Sequence, residues 1–255
     1  MKGKVFFQFI RILLVGFLLL LGSTACSAAV NNNPVVQPSA TADLPEVTLQ
    51  PTVQPDPYPG WVSYVNDLSQ FSFYFPETWF GPDIYEVDGD LRLVIGSDVV
   101  YPYGTDRTEQ IYTEINSYYI TILYRKNINN IASEDFFSGN PWVSTYAALQ
   151  NLENGESIET ARARDIRVKE YQLGAFSGLE YISTLSDTAQ TEHFFVREIF
   201  LLDENLNVLI ITGSPNNVEI GDGENWREVY QKVDQDNLEI LYKVVESIKI
   251  DSFIP

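Results

Sequence analysis

Residues 71–80 read Phe-Ser-Phe-Tyr-Phe-Pro-Glu-Thr-Trp-Phe, FSFYFPETWF. Phe71, Phe73 and Phe75 alternate with Ser72 and Tyr74. Successive side chains of a strand point to opposite faces, so three phenyl rings share one face. Pro76 has no N–H to give a ladder and stops the strand. Upstream, WVSYV (61–65) and NDLSQ (66–70) supply a strand and a turn. The stretch therefore opens a domain on strand, turn and strand, with an aromatic face toward its core.

The same alternation runs downstream. IYEV (84–87) and LRLVIG (91–96) flank Asp88-Gly-Asp90, and Asp-Gly supplies the positive φ angles of a tight hairpin turn. INSYYITILYR (115–125) is a long strand with Ile120, Ile122 and Tyr124 on one face. The period then changes. In PWVSTYAALQNL (141–152), Trp142, Tyr146 and Leu149 fall on one helical stripe, and Asn154-Gly155 ends that helix. Three more strands follow: IRVKEYQL (166–173), GLEYIST (178–184) and HFFVREIFLL (193–202). NVLIITG (207–213) is apolar almost throughout, which places it centrally with both faces covered. The closing segment 224–250 is helical, with Leu238, Leu241 and Val245 on a stripe and 247–250 returning to a strand edge. Strands, a helix, more strands and a closing helix define an α+β layered domain.

Four stretches carry a family resemblance: FSFYFPETWF (71–80), LGAFSGLEYIST (173–184), REIFLLDENLNVLIITG (197–213) and VVESIKI (244–250). Together they resemble the opening strand, later hairpin, central strand and final helix of PsbP-like domains. The resemblance implies a PsbP-like α/β/α sandwich with a central, mainly antiparallel sheet over residues 59–255. It carries no catalytic residue with it. In that family the known roles are accessory: docking on, stabilising or helping to assemble membrane protein complexes.

The N-terminal region has a different logic. MKGKVFFQFIR carries Lys2, Lys4 and Arg11 and no acid; the apolar run ILLVGFLLLL (12–21) follows, then Ser23-Thr-Ala25 and Cys26. A basic start, a short apolar run and small residues describe an export signal. The run is about half the roughly 20 residues a spanning helix needs. STAC resembles the lipobox of bacterial lipoprotein signals, with Thr24 and Ala25 matching and Ser23 standing where Leu is usual. The resemblance implies lipidation of Cys26, the only cysteine, and two acyl chains hold a protein stably on a membrane where one does not. An ordinary secreted protein cut near Ala25 and an uncleaved anchor are the alternatives. The expected organisation is a signal over 1–25, a Pro/Thr-rich, disordered tether over 26–58 and the domain over 59–255. The expected location is the extracytoplasmic side of the cell membrane, lipid-anchored.

Composition narrows the function classes. The chain has 16 Lys and Arg against 35 Asp and Glu, a net charge of −19. Losing Lys2, Lys4 and Arg11 with the signal takes it to −22. Such a chain repels phosphate, which excludes nucleic acid as a partner, and its anchorage should come from acyl chains rather than a basic face. About 195 residues suffice for one core without disulfides.

The search for chemistry yields little. His193 is the only histidine, so no multi-histidine metal site, HExxH or CxxC pattern exists. TGSPN and EYIST are not nucleophile elbows. Asp88-Gly-Asp90 and Asp222-Gly-Glu224 offer oxygen ligands but read as turns, and neither matches a calcium loop. No phosphate-binding glycine motif occurs. No catalytic residue, metal or cofactor is expected. Within YPYGTDRTEQIYTEINSYY (101–119), Pro102 and Gly104 place Tyr101 and Tyr103 on a surface loop, and tyrosine is favoured at interfaces. The expectation is a non-catalytic binding or accessory domain for an envelope protein complex, with Tyr101 and Tyr103 as candidate contacts. A hydrolase using two carboxylates and a small-ligand receptor are the competing classes.

Overall fold

The computed structural model describes residues 57–87, 90–126, 141–187 and 192–250. The signal at 1–25, Cys26, the tether up to residue 56 and the Asp88-Gly89 turn lie outside the described residues. A compact unit runs from Gln54 to Pro255.

The strands are β1 (Trp61–Asn66), β2 (Phe71–Pro76), β3 (Phe80–Val87), β4 (Asp90–Gly96), β5 (Ser117–Arg125), β6 (Ser157–Glu159), β7 (Ala163–Leu173), β8 (Phe176–Asp187), β9 (Glu192–Leu202), β10 (Val208–Asn216) and β11 (Lys249–Ile250). Two helices interrupt them, α1 (Pro141–Leu149) and α2 (Trp226–Ser247). The class is α+β. Eight strands form one sheet in the order β3-β4-β5-β10-β9-β8-β7-β6, and every neighbouring pair is antiparallel. β10 is fourth from the β3 edge, and Val208–Ile211 are buried on both faces, which is why that stretch is apolar throughout.

One face of the large sheet packs on α2 and on a three-stranded sheet, β1-β2-β11. Phe71, Phe73 and Phe75 point inward from β2 and are buried there. Val233, Leu241, Val244 and Val245 supply the helix side of this core. Asn225 caps α2, accepting from the Arg227 N–H at 3.1 Å. At the other end, Ser247 Oγ donates to the Val244 carbonyl (2.7 Å) and accepts from the Tyr74 N–H (2.8 Å). That hydroxyl ties the helix end to β2, and β11 then pairs with β2. Tyr58 stacks on Tyr74 with centroids 4.4 Å apart, and Lys243 lies 4.4 Å over the Trp61 ring.

The opposite face packs on α1 through a smaller core of Leu123, Leu149, Leu179, Tyr181, Phe200 and Ile210. Tyr146 stacks on Phe200 at 4.3 Å. The helix stops at Leu149 rather than at residue 152 as its sequence suggests. Arg167 explains the difference: its guanidinium donates to the carbonyls of Gln150 (3.0 Å) and Leu152 (2.5 Å) and to Asn154 Oδ1 (3.2 Å). A cation at a helix C-terminus satisfies carbonyls that the next helical turn would otherwise need.

Candidate functional site

β3 is an edge strand of the eight-stranded sheet, so one side of its backbone has no ladder partner in that sheet. A register shift between Phe80 and Asp83, together with Pro82, breaks that edge at its start. From Asp83 to Val87 the pairing with β4 is regular. Tyr85 faces Arg92 across this hairpin, and the Tyr85 and Tyr103 rings lie 4.2 Å apart. The Arg92 guanidinium sits 5.1 Å over the Tyr103 ring, and the Tyr103 N–H donates to Asp83 Oδ2 at 3.1 Å. Tyr103 is 58% exposed and Tyr85 38%, with Ile84 and Phe80 each 47% exposed on the same strand. Burial pulls the Arg92 pKa below its ordinary value, with Asp83 and Tyr103 acting against that shift; the group remains a cation. Two tyrosines and an arginine, held by each other and by the strand, thus stand at the sheet edge.

Tyr101 is placed differently. It is half-buried, and its hydroxyl donates to the Ile111 carbonyl (2.7 Å) and accepts from the Ile111 N–H (2.8 Å). Its ring meets Tyr112 edge-on at 5.7 Å. Tyr101 clasps the loop; Tyr103 displays. Tyr101→Phe removes both bonds of the clasp, and we expect a loss of about 1–2 kcal/mol in unfolding free energy, with faster amide exchange at Ile111 than at Ile120 in the core.

Tyr85 and Arg92 are the residues the sequence reading left out. The Asp-Gly turn that announces the hairpin also fixes its register, which pairs Val87 with Asp90 and therefore Tyr85 with Arg92. That count was the available signal.

Two buried charged clusters lie away from this edge. On the α2 face, Arg197 from β9 binds Asp234 with Nε (3.1 and 3.0 Å) and Nη2 (2.6 Å), and Glu180 with Nη1 (2.5 Å). Tyr118 donates to Asp234 (3.0 Å), Tyr242 donates to Glu180 (2.7 Å), and Lys169 approaches Glu180 at 3.4 Å. Burial alone lowers the Arg197 pKa, but its bonds to Asp234 and Glu180 outweigh that and hold it above the ordinary value. Burial, then the Asp234 charge, push the Tyr118 phenol well up. Gly213 makes the cluster possible, since a Cβ there would overlap the Tyr118 hydroxyl. Two cations answer two carboxylates here, so the cluster is internally neutral. It joins β8, β9 and β5 to α2.

On the α1 face, Glu198 has no exposed surface, and Tyr181 donates a short hydrogen bond to its Oε1. Its other oxygen has no hydrogen-bond partner among the described residues. Burial pushes the Glu198 carboxyl up to about 8; the Tyr181 bond acts against this and Asp165 adds to it. Glu198 therefore holds its proton at neutral pH.

Other acids among the described residues are engaged locally. A recess of about 710 Å³ beside the first half of α2 has Glu219, Glu224, Glu228 and Asp236 around it. Glu224 is engaged by the Gly221 N–H (2.8 Å) and Glu228 by Asn225 Nδ2 (3.1 Å), so both close the turn that starts the helix. Asp90 is bound to Arg125 at 2.7 Å. Among the described residues no group of three or more His, Cys, Asp or Glu is placed to hold a metal, and no helix is long and apolar enough to cross a membrane. His193, the second residue of β9, stacks on Trp226 at 4.3 Å. No protein-family model matches the chain, and no curated protein matches it.

Proposed function

We propose that this chain is a lipoprotein acylated on Cys26, and that its PsbP-like domain is a non-catalytic binding or accessory module for an envelope protein complex. The observation that carries this reading is the cluster of Tyr85, Arg92 and Tyr103 on an exposed sheet edge. Tyrosine and arginine are the residues most enriched where interfaces concentrate their energy. The free side of β3 from Asp83 to Val87 offers backbone donors and acceptors to an added strand. The antiparallel sheet with a helix on each face is what a PsbP-like domain requires. A tether up to residue 56 would give the domain reach, roughly 100 Å if fully extended.

Two experiments test the reading. Labelled palmitate should enter the wild type and not Cys26→Ser; equal labelling of both removes the anchor. The double variant Tyr85→Ser/Tyr103→Ser should keep the wild-type melting temperature within a few degrees, because both rings are exposed. It should lose at least tenfold in co-purification with its membrane complex, as loss of two hot-spot residues implies. Undiminished co-purification removes this edge as the contact.

A further inference from the structure

We infer that the recess framed by the start of β9, the end of β10 and Tyr230 of α2 binds a neutral saccharide. This does not rest on the docking reading, since the described residues around the recess include neither Tyr85 nor Tyr103.

The recess measures about 390 Å³, within the range of roughly 300–1,000 Å³ typical of small-molecule sites. Its walls combine the rings of Tyr112, His193, Phe195 and Tyr230 with the amides of Asn216 and Asn217. Among the described side chains around it, none is Asp, Glu, Lys or Arg. That is unusual on a chain with 35 acids, and a charged ligand would meet no carboxylate, ammonium or guanidinium among the described lining side chains. A pyranose ring has an apolar C–H face and a rim of hydroxyls. Aromatic rings suit the face, and amide and phenol groups suit the rim.

The walls are also held in place. His193 is backed by Trp226 in a parallel stack, 4.3 Å between centroids and 4° between planes, and Arg227 sits 4.5 Å from the Trp226 ring. Tyr112 donates to Gln110 Oε1 at 2.6 Å while Gln110 Nε2 donates to the Thr105 carbonyl at 3.0 Å. Asn217 Nδ2 donates to the Glu114 carbonyl at 3.0 Å, which orients its amide. Asn216 Nδ2 is shielded from solvent and has no hydrogen-bond partner among the described residues. Rigid rings beside amide groups lower the ordering cost of binding.

The test uses the full chain and the one histidine it contains. The imidazole C–H resonances of His193 are unique in a proton spectrum. Titration with cellobiose, maltose and chitobiose at millimolar concentration should shift them saturably with at least one sugar. Glucuronate should leave them in place. Tyr230→Phe, which keeps the ring, should weaken that binding by roughly three- to tenfold, the effect of one lost hydrogen bond. Tyr103→Ser should not alter it. Retention on insoluble cellulose or chitin, released by the matching disaccharide, assigns a polysaccharide chain as the source of the sugar; binding of the disaccharide without retention assigns a free sugar. No shift with any of the three neutral sugars overturns the inference, as does glucuronate binding equally well or Tyr230→Phe binding like the wild type.

Discussion

Arg197→Met will destabilise the domain by about 3–5 kcal/mol, the range for removing one partner of a buried ion cluster. Methionine keeps an unbranched stem of similar character, so the main loss is the stranding of two buried carboxylates. Asp234 and Glu180, both without exposed surface, would then face each other's charge with only Lys169 to answer them. Single domains have roughly 5–15 kcal/mol to lose, so this variant gives up a large share. Urea unfolding of wild type and variant at pH 7 measures the difference. The double variant Arg197→Met/Asp234→Leu sharpens it. Because an intact buried pair is often no better than an apolar one, the double variant should be less destabilised than the sum of its two singles, and by more than 1 kcal/mol for groups this close. Additive losses would show that the cluster holds no net coupling between β9 and α2.

Glu198→Gln will stabilise the protein at neutral and alkaline pH. In the unfolded chain this carboxyl gives up its proton near 4.5, while in the fold it keeps it until about 8. Between those values the folded state binds more protons than the unfolded one, so stability falls as pH rises. Below 4.5 the contribution is intact; above 8 it is fully lost. Three and a half pH units at about 1.4 kcal/mol each give a span of about 5 kcal/mol. Glutamine keeps an acceptor for the Tyr181 hydroxyl and never ionises. The two proteins should therefore match near pH 4.5 and diverge steadily up to pH 8, with a constant gap beyond. Denaturant midpoints measured from pH 4.5 to 9 give that difference directly, and other titrating groups cancel in it. Parallel curves would mean that Glu198 is ionised in the fold.

Every strand except the three-residue β6, and both helices, were legible in the sequence because alternation and helical period each follow from burial on one face. FSFYF presents three rings to the core, and 208–211 is central because it carries no polar side chain. The end of α1 was not legible, because the residue that terminates it, Arg167, lies on another strand. The charged clusters left a fainter trace. Asp234 falls on the same helical stripe as Leu238, Leu241 and Val245, and Arg197 and Glu198 interrupt an otherwise apolar strand. A charge at a core position calls for a partner, but which partner depends on strand order, and strand order is not local. Tyr101 and Tyr103 looked alike from sequence as neighbours on one loop. The hydroxyl contact to Ile111 separates them, and only the fold of residues 101–113 creates it.

The binding reading stands or falls on what touches Tyr103 in the cell. A photocrosslinking amino acid at position 103, and another at the exposed Glu239 of α2 as control, would be placed in the full chain with Cys26 intact. Position 103 should capture one recurrent membrane complex that position 239 does not, and the capture should disappear in Cys26→Ser. Diffuse adducts that are the same at both positions, with or without the anchor, would contradict a docking role for this edge.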